Sequence, residues 1–286
     1  MSIRRKRKVF SDKREIEVIC QSFAPLAAHS FFDYLRRSKQ LAFVWLLLKE
    51  NPSRNKEELV ERILQVKDLH RKSNQTLREN IQKNIQRVAN WFILVSRIKY
   101  WKETRFSKDN EEHKAILEEL WDTLTKNQEH LWKDWTDIGF QGKDPSTDFR
   151  GAGLLSLLQL VYFAKKYFSL CQRVLYNCNT TEPKYPFACT GIYCTEALTN
   201  LLEQGILLPL GERQSDEDDD SLETFHEEYV RLFLLFHHNW HTGNPQNLLE
   251  FGKYMNKTIQ QAKDRLRQQG TILTTEELLK TQNTLV

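Results

Sequence analysis

Residues that break helices are scarce in this sequence. Ten glycines and seven prolines are spread over 286 positions, while Leu, Lys, Glu and Gln, which lose little on entering a helix, are abundant. A turn-rich sheet protein is not expected. Cysteine is sparse too: Cys20, Cys171, Cys178, Cys189 and Cys194 form an odd set with no CxxC pair. Neither the spacing 171–178 nor 189–194 matches a zinc ribbon or finger, and reduced thiols in a cytosolic protein are the simplest reading. The longest apolar run, Leu41 to Leu48, has eight residues, far short of the roughly 20 that span a bilayer. The start, Met1 to Lys8, has no apolar segment behind it, and Ser2 stands where myristoylation needs glycine. Neither a secretory signal nor an acyl anchor is expected there. Also missing are a Walker loop, a GxGxxG and a GxSxG. The chain is therefore expected to hold no nucleotide or other cofactor and to run no nucleophilic chemistry of its own. The net charge is only +4, and basic residues do not interleave with aromatics, so nucleic acid is not an expected partner. These absences together predict a cytoplasmic protein, peripheral at most at an intracellular membrane.

What the chain has is apolar spacing of three and four, the mark of helices with one buried face. Composition and period predict an all-α protein. Residues 1–14 read as a basic flexible tail, 15–104 as a helical N-terminal extension, 105–270 as the main multi-helix domain and 271–286 as a C-terminal tail. Pro25 is expected to separate two helices, the second from about Ser30, and Asn51-Pro52-Ser53 to act as a stop and a cap. Further helices are predicted over 57–66, 75–101, 109–126, 169–178, 187–205, 221–241 and 245–268. The last counts Leu248, Leu249, Phe251, Tyr254, Ile259 and Leu266 on its apolar positions. A central helix from about Asp148 or Phe149 to Tyr167 is given Thr147 as its N-cap. The acidic run at 216–220 lacks the spaced oxygens and central glycine of a calcium loop and reads as solvated. His237 and His241 stand four apart, but no third ligand and no HExxH carboxylate accompany them, so a packed or solvated helix face is expected and no metal.

One run concentrates the chain's scarce glycine. From Trp135 through Gly139-Phe140-Gln141-Gly142, Asp144-Pro145 and Asp148-Phe149-Arg150-Gly151 to Gly153, four glycines fall within fifteen residues. A dense apolar segment, Leu154 to Phe163, follows at once. Glycine is placed where the backbone takes positive φ or is approached closely. The pattern predicts an arginine fixed in a rigid turn at the start of a buried helix. Arginine is always charged and carries five donors in a planar fork that matches phosphate. Two readings of Arg150 stay open on spacing alone: a structural ion pair with Asp148 or Asp144, and a finger that stabilises charge on a γ-phosphate during hydrolysis. Asp144 can cap or pair, and Asp148 can orient Arg150. Gln141 is either a loop residue bridging backbone groups or a contact to a partner.

The whole run Trp135-x-x-Ile138-Gly139-Phe140-Gln141-Gly142-x-Asp144-Pro145-x-Thr147-Asp148-Phe149-Arg150-Gly151-x-Gly153 resembles the signature of the ELMO domain. It is most similar to the ELMO-domain-containing branch. The similarity continues through 154–163 and, more loosely, through Tyr185-Pro186-Phe187 and Gly191-x-x-x-Thr195-Glu196. What the resemblance implies is a GTPase-activating protein for an Arf or Arf-like small GTPase in its GTP-bound form, with Arg150 as the residue the activity depends on. The scaffold branch, which works with DOCK proteins on Rac, departs from the pattern at the arginine, and this chain keeps it. The rival from another class is a non-catalytic adaptor that binds a small GTPase or a DOCK-type exchange factor. The basic run Arg4 to Lys8 fits a nuclear import signal, weak and reversible contact with an anionic membrane, or a solubilising tail.

Overall fold

A computed structural model describes residues 15–20, 25–70, 74–126, 133–208 and 219–284. Among these residues there are helices and turns and no strand, as the composition required. The basic tail and most of the acidic run lie outside them. After a short helical stretch at 15–19, the helices are α1 (Pro25–Arg37), α2 (Ala42–Glu50), α3 (Lys56–Val66), α4 (Gln75–Glu103), α5 (Glu111–Thr125), α6 (Gly153–Lys166), α7 (Phe168–Thr180), α8 (Phe187–Glu203), α9 (Asp219–Gly243), α10 (Phe251–Gln269) and α11 (Thr275–Thr284). Two 3-10 turns, Pro145–Arg150 and Leu248–Glu250, interrupt the series.

Several boundaries differ from the sequence expectation, each for a local reason. Residues 15–19 are helical and a second helix follows, as expected, but it starts at Pro25 and not near Ser30, since a first-turn residue has no amide partner to lose. The cap of α3 is Asn55, not Ser53: its side chain accepts from the amides of Glu57 and Glu58. Residues 275–284, expected as part of a tail, form α11. The central helix starts at Gly153 and not at 148, because residues 145–150 wind as a separate 3-10 turn capped by Asp144 instead of Thr147.

The chain divides into two compact units. The first comprises Met1–Val95, Gln204–Ser221 and Leu266–Gly270. Its core joins Phe32 edge-on to Trp45 and Trp91, at 5.3 and 4.8 Å between ring centroids. The second comprises Ser96–Glu203, Leu222–Arg265 and Thr271–Val286. Here α6 is the central element. It packs on α5, α7 and α8, and Leu154, Leu155, Leu157, Leu160, Phe163 and Ala164 are all buried, so it is apolar around most of its circumference.

His237 sits on α9 in this second unit, buried, with Nδ1 2.5 Å from the Tyr185 hydroxyl. The His241 ring lies 4.3 Å away, and no cluster of metal-ligating side chains exists among the described residues. The pair is a packed helix face. Burial, aided by His241, pushes the His237 pKa down from 6.5 to about 3. The unfolded imidazole takes up a proton near pH 6.5 and the folded one only near pH 3. Stability is therefore unaffected above that window and falls as pH drops through it, by up to about 1.4 kcal/mol per pH unit for this one group. Melting curves between pH 7 and pH 5 should show the loss, and His237→Gln, which does not titrate, should flatten the slope by one proton.

Candidate functional site

The glycine-rich run folds as a loop laid over an aromatic platform. Trp121 of α5 packs on Trp135, Trp135 on Phe140, Phe140 on Phe149, and Phe149 on Phe106, with centroids 4.9, 5.6, 5.7 and 5.3 Å apart. Phe140, Pro145 and Phe149 are buried. Edge-to-face rings of this kind pack tightly and fix the backbone above them.

Two glycines of the run answer to the fold itself. Gly139 has φ +88, and a Cβ there would lie 2.3 Å from the amide nitrogen of Phe187. The close approach lets the carbonyls of Ile138 and Gly139 accept from the amides of Ala188 and Cys189, at 3.1 and 3.0 Å. Those amides belong to the first turn of α8 and have no partner within their own helix, so the loop backbone serves as its cap. Gly153 has φ +56, and its Cβ would meet the Lys102 carbonyl oxygen at 2.1 Å. The adjacent Leu154 amide donates to the Thr104 carbonyl at 2.8 Å, which joins the start of α6 to the segment after α4.

Gly142 and Gly151 differ. A Cβ at either position would meet nothing within 4 Å. Gly151 is an ordinary right-handed residue, φ −80 and ψ −37, and it is exposed. Among the described residues nothing requires glycine at these two positions.

Both neighbouring carboxylates are engaged elsewhere than on the arginine. Asp144 accepts from the amide and hydroxyl of Ser146, at 3.1 and 2.7 Å, and pairs with Lys108 at 2.5 Å. The Lys108 ammonium, with the Ser146 hydroxyl, holds its carboxyl below the usual carboxylate range. Asp148 does not orient Arg150. Its Oδ2 accepts from the Gln141 amide at 2.8 Å and its Oδ1 from the Thr147 hydroxyl at 3.4 Å, closing the loop across seven residues. It also lies near Cys189, whose thiol is pushed up to about 11 by burial and then by this carboxylate.

Arg150 ends the 3-10 turn, exposed to solvent. Its Nε donates to the Thr147 carbonyl at 2.7 Å. No carboxylate among the described residues pairs with it, and its two terminal nitrogens have no partner there. The guanidinium is thus aimed by one bond to its own turn, with two parallel donors left outward, a geometry suited to two oxygens of a phosphate. Gln141 is exposed; its backbone amide donates to Asp148, and its side chain makes no hydrogen bond among the described residues.

The sequence singles out Arg150, Trp135 and Phe140, but not the ring platform that Trp121 and Phe106 complete, nor Lys108, the Thr147 carbonyl that anchors Arg150, or Cys189. Lys108 and Cys189 lie 36 and 41 residues from the aspartates they neighbour, and the Thr147 carbonyl, though only three residues from Arg150, is a backbone group that no side-chain pattern marks.

A helical domain that displays an unpaired arginine on a capped, aromatic-backed turn is the class that fold and site define. Residues 96–255 match the ELMO/CED-12 family model, more than half of the chain, and the protein belongs to that family. Among its relatives, "ELMO domain-containing protein 2" of Bos taurus is 29% identical over 204 residues, covering 70% of this chain and 69% of the relative. The human protein of the same name is 33% identical over 172 residues, 59% and 58% of the two chains. "ELMO domain-containing protein B" of Dictyostelium discoideum is 35% identical over 149 residues, so the match spans about half of that relative's length (51%).

Proposed function

We propose that this protein stimulates GTP hydrolysis on an Arf-family small GTPase, Arf or Arf-like, by placing Arg150 in trans against the γ-phosphate. The partner supplies GTP, magnesium and the water-orienting residue. The observation that carries this reading is the guanidinium itself: exposed, aimed by the Thr147 carbonyl, and free of any carboxylate among the described residues. A structural ion pair would have used Asp144 or Asp148, and both are committed to the loop. Gly142 and Gly151 support the same reading, since glycine without an internal reason beside such an arginine leaves room for another chain's backbone. Electrostatic stabilisation of charge that develops only in the transition state is the chemistry available to this geometry.

The test is single-turnover GTP hydrolysis across a panel of Arf-family GTPases with the full chain added. Acceleration of at least one member by 100-fold or more, about 2.7 kcal/mol, is the expected result. Binding without acceleration would leave the adaptor as the correct reading.

Peripheral membrane contact is the second part of the proposal. Among the described residues no helix is long and apolar enough to cross a membrane, so contact would rest on the basic run Arg4 to Lys8. Each basic residue near an anionic surface contributes about 1 kcal/mol. Deleting residues 2–8 should weaken salt-sensitive sedimentation with phosphatidylserine vesicles and leave hydrolysis in solution unchanged. Unaltered sedimentation would reduce the run to a solubilising segment.

A further inference from the structure

Beyond the arginine turn, the second unit carries one corner that its own packing leaves bare. Leu249 is 94% exposed and Leu248 47%, on the 3-10 turn between α9 and α10. The expectation that both lie on the apolar face of a helix fails, because α10 begins only at Phe251. Tyr193 of α8, 52% exposed, packs against Phe251 with ring centroids 5.4 Å apart and extends the same surface. The corner is held firmly. Asn247 Oδ1 accepts from the Leu249 amide at 2.9 Å, and Glu250 Oε1 from the Gln246 amide at 2.8 Å. Phe251 is anchored on Phe236 at 5.0 Å, and the Tyr254 hydroxyl donates to the Gly243 carbonyl at 2.5 Å. An apolar side chain fully in water on a fixed backbone is already organised for binding, with little ordering left to do.

Helix α8 connects this corner to the arginine turn. Its first turn is capped by Gly139, and Cys189 lies near Asp148. Tyr193 is one turn further on the same side, about 6 Å along the axis. Adding the Tyr193–Phe251 contact and two residues of chain places Leu249 on the order of 25 Å from the arginine turn. A standard one-sided protein interface of about 800 Å² is roughly 30 Å across, a width that matches this separation. Gly252 adds an independent sign. A Cβ there would also meet nothing within 4 Å, so packing among the described residues does not call for glycine. It repeats at this corner what Gly142 and Gly151 show at the other end.

We propose that the GTP-bound partner of Arg150 also seats an apolar patch on Leu249, Leu248 and Tyr193, so that the interface runs from the arginine turn along α8 to the α9–α10 corner. This rests on the function proposed above and adds to it the source of affinity. Arg150 acts on the transition state, and the leucine corner holds the ground-state complex.

The experiment uses the full chain and the GTPase of the panel that responds most. Leu249→Asp and Tyr193→Ala are compared with Leu46→Asp, a control at a 63% exposed leucine in the first unit. Leu249→Asp should raise the activator concentration for half-maximal rate at least 10-fold, leave the saturating rate within twofold, and weaken binding to the GTPase loaded with a non-hydrolysable GTP analogue by the same factor. Tyr193→Ala should act in the same direction, and Leu46→Asp should do nothing. Unchanged half-saturation in Leu249→Asp overturns the corner while the arginine reading stands. Equal losses in Leu46→Asp overturn it as well. A loss seen only in vesicle binding, or only in self-association, assigns the corner to lipid or to a second copy and also overturns it. If the wild-type chain neither binds nor accelerates any GTPase, the proposed function fails and the corner proposal falls with it.

Discussion

Arg150→Ala should abolish stimulated GTP hydrolysis and leave the chain folded. A finger arginine contributes ~10³–10⁵ in rate, or ~4–7 kcal/mol of transition-state stabilisation. Its fold contribution here is one hydrogen bond, Nε to the Thr147 carbonyl, worth about 1 kcal/mol. The melting temperature should therefore move by no more than about 4 °C. Affinity for the GTP-bound partner should change little, because the charge it meets builds only as the bond breaks. Arg150→Lys should fail as badly. Lysine keeps the charge but has no Nε to rest on the Thr147 carbonyl and no pair of parallel donors. A stable Arg150→Ala protein with wild-type stimulation would end the finger reading. A fall in activity that tracks a fall in melting temperature would make Arg150 structural instead.

The second large effect separates glycines that look alike in sequence. Gly153→Ala should unfold or severely weaken the second unit. The new Cβ would lie 2.1 Å from the Lys102 carbonyl oxygen at φ +56. Left-handed strain alone is about 1–2 kcal/mol, and neither backbone can retreat without breaking the Leu154–Thr104 bond. A loss above ~4 kcal/mol is expected, visible as a drop in melting temperature of roughly 10 °C or more. Gly151→Ala should do the reverse. Its right-handed backbone accepts alanine without contact, and fewer unfolded conformations should stabilise the fold by about 0.4–1 kcal/mol. On the function proposed above, stimulation should nevertheless fall about 10-fold, because the methyl would enter the space left for the partner's backbone. An active, stabilised Gly151→Ala protein would show that no partner comes near this residue.

These contrasts mark how far the sequence could be read. The helices were legible because a stripe of apolar residues at steps of three and four admits few other structures, and α4 follows its stripe closely. The turn was legible as a place, since four glycines within fifteen residues in a glycine-poor chain must serve some purpose. Its division of labour was not. Gly139 and Gly151 are the same letter, and only the position of the Phe187 amide against one, and empty space beside the other, tells them apart. Likewise Asp148 stood two residues from Arg150, yet its partner is an amide seven residues back. Leu249 misled because periodicity counts spacing and not whether a helix has begun. Asn55 and Ser53 are both good caps ahead of the same acidic first turn, and only the path of the backbone chose between them.

The anchoring of Arg150 by a single bond to its own turn has a consequence for descent. Every other determinant of the turn's shape lies inward or in the backbone: the rings beneath, Asp144 and Asp148 across it, Gly139 and Gly153 at its ends. The arginine is attached to this frame and contributes almost nothing to it. On the function proposed above, a lineage could therefore lose the residue by a single codon change and keep the fold of the turn. Activator and silent adaptor would then be neighbouring variants of one scaffold, separated by one exposed side chain, with no unstable intermediate between them.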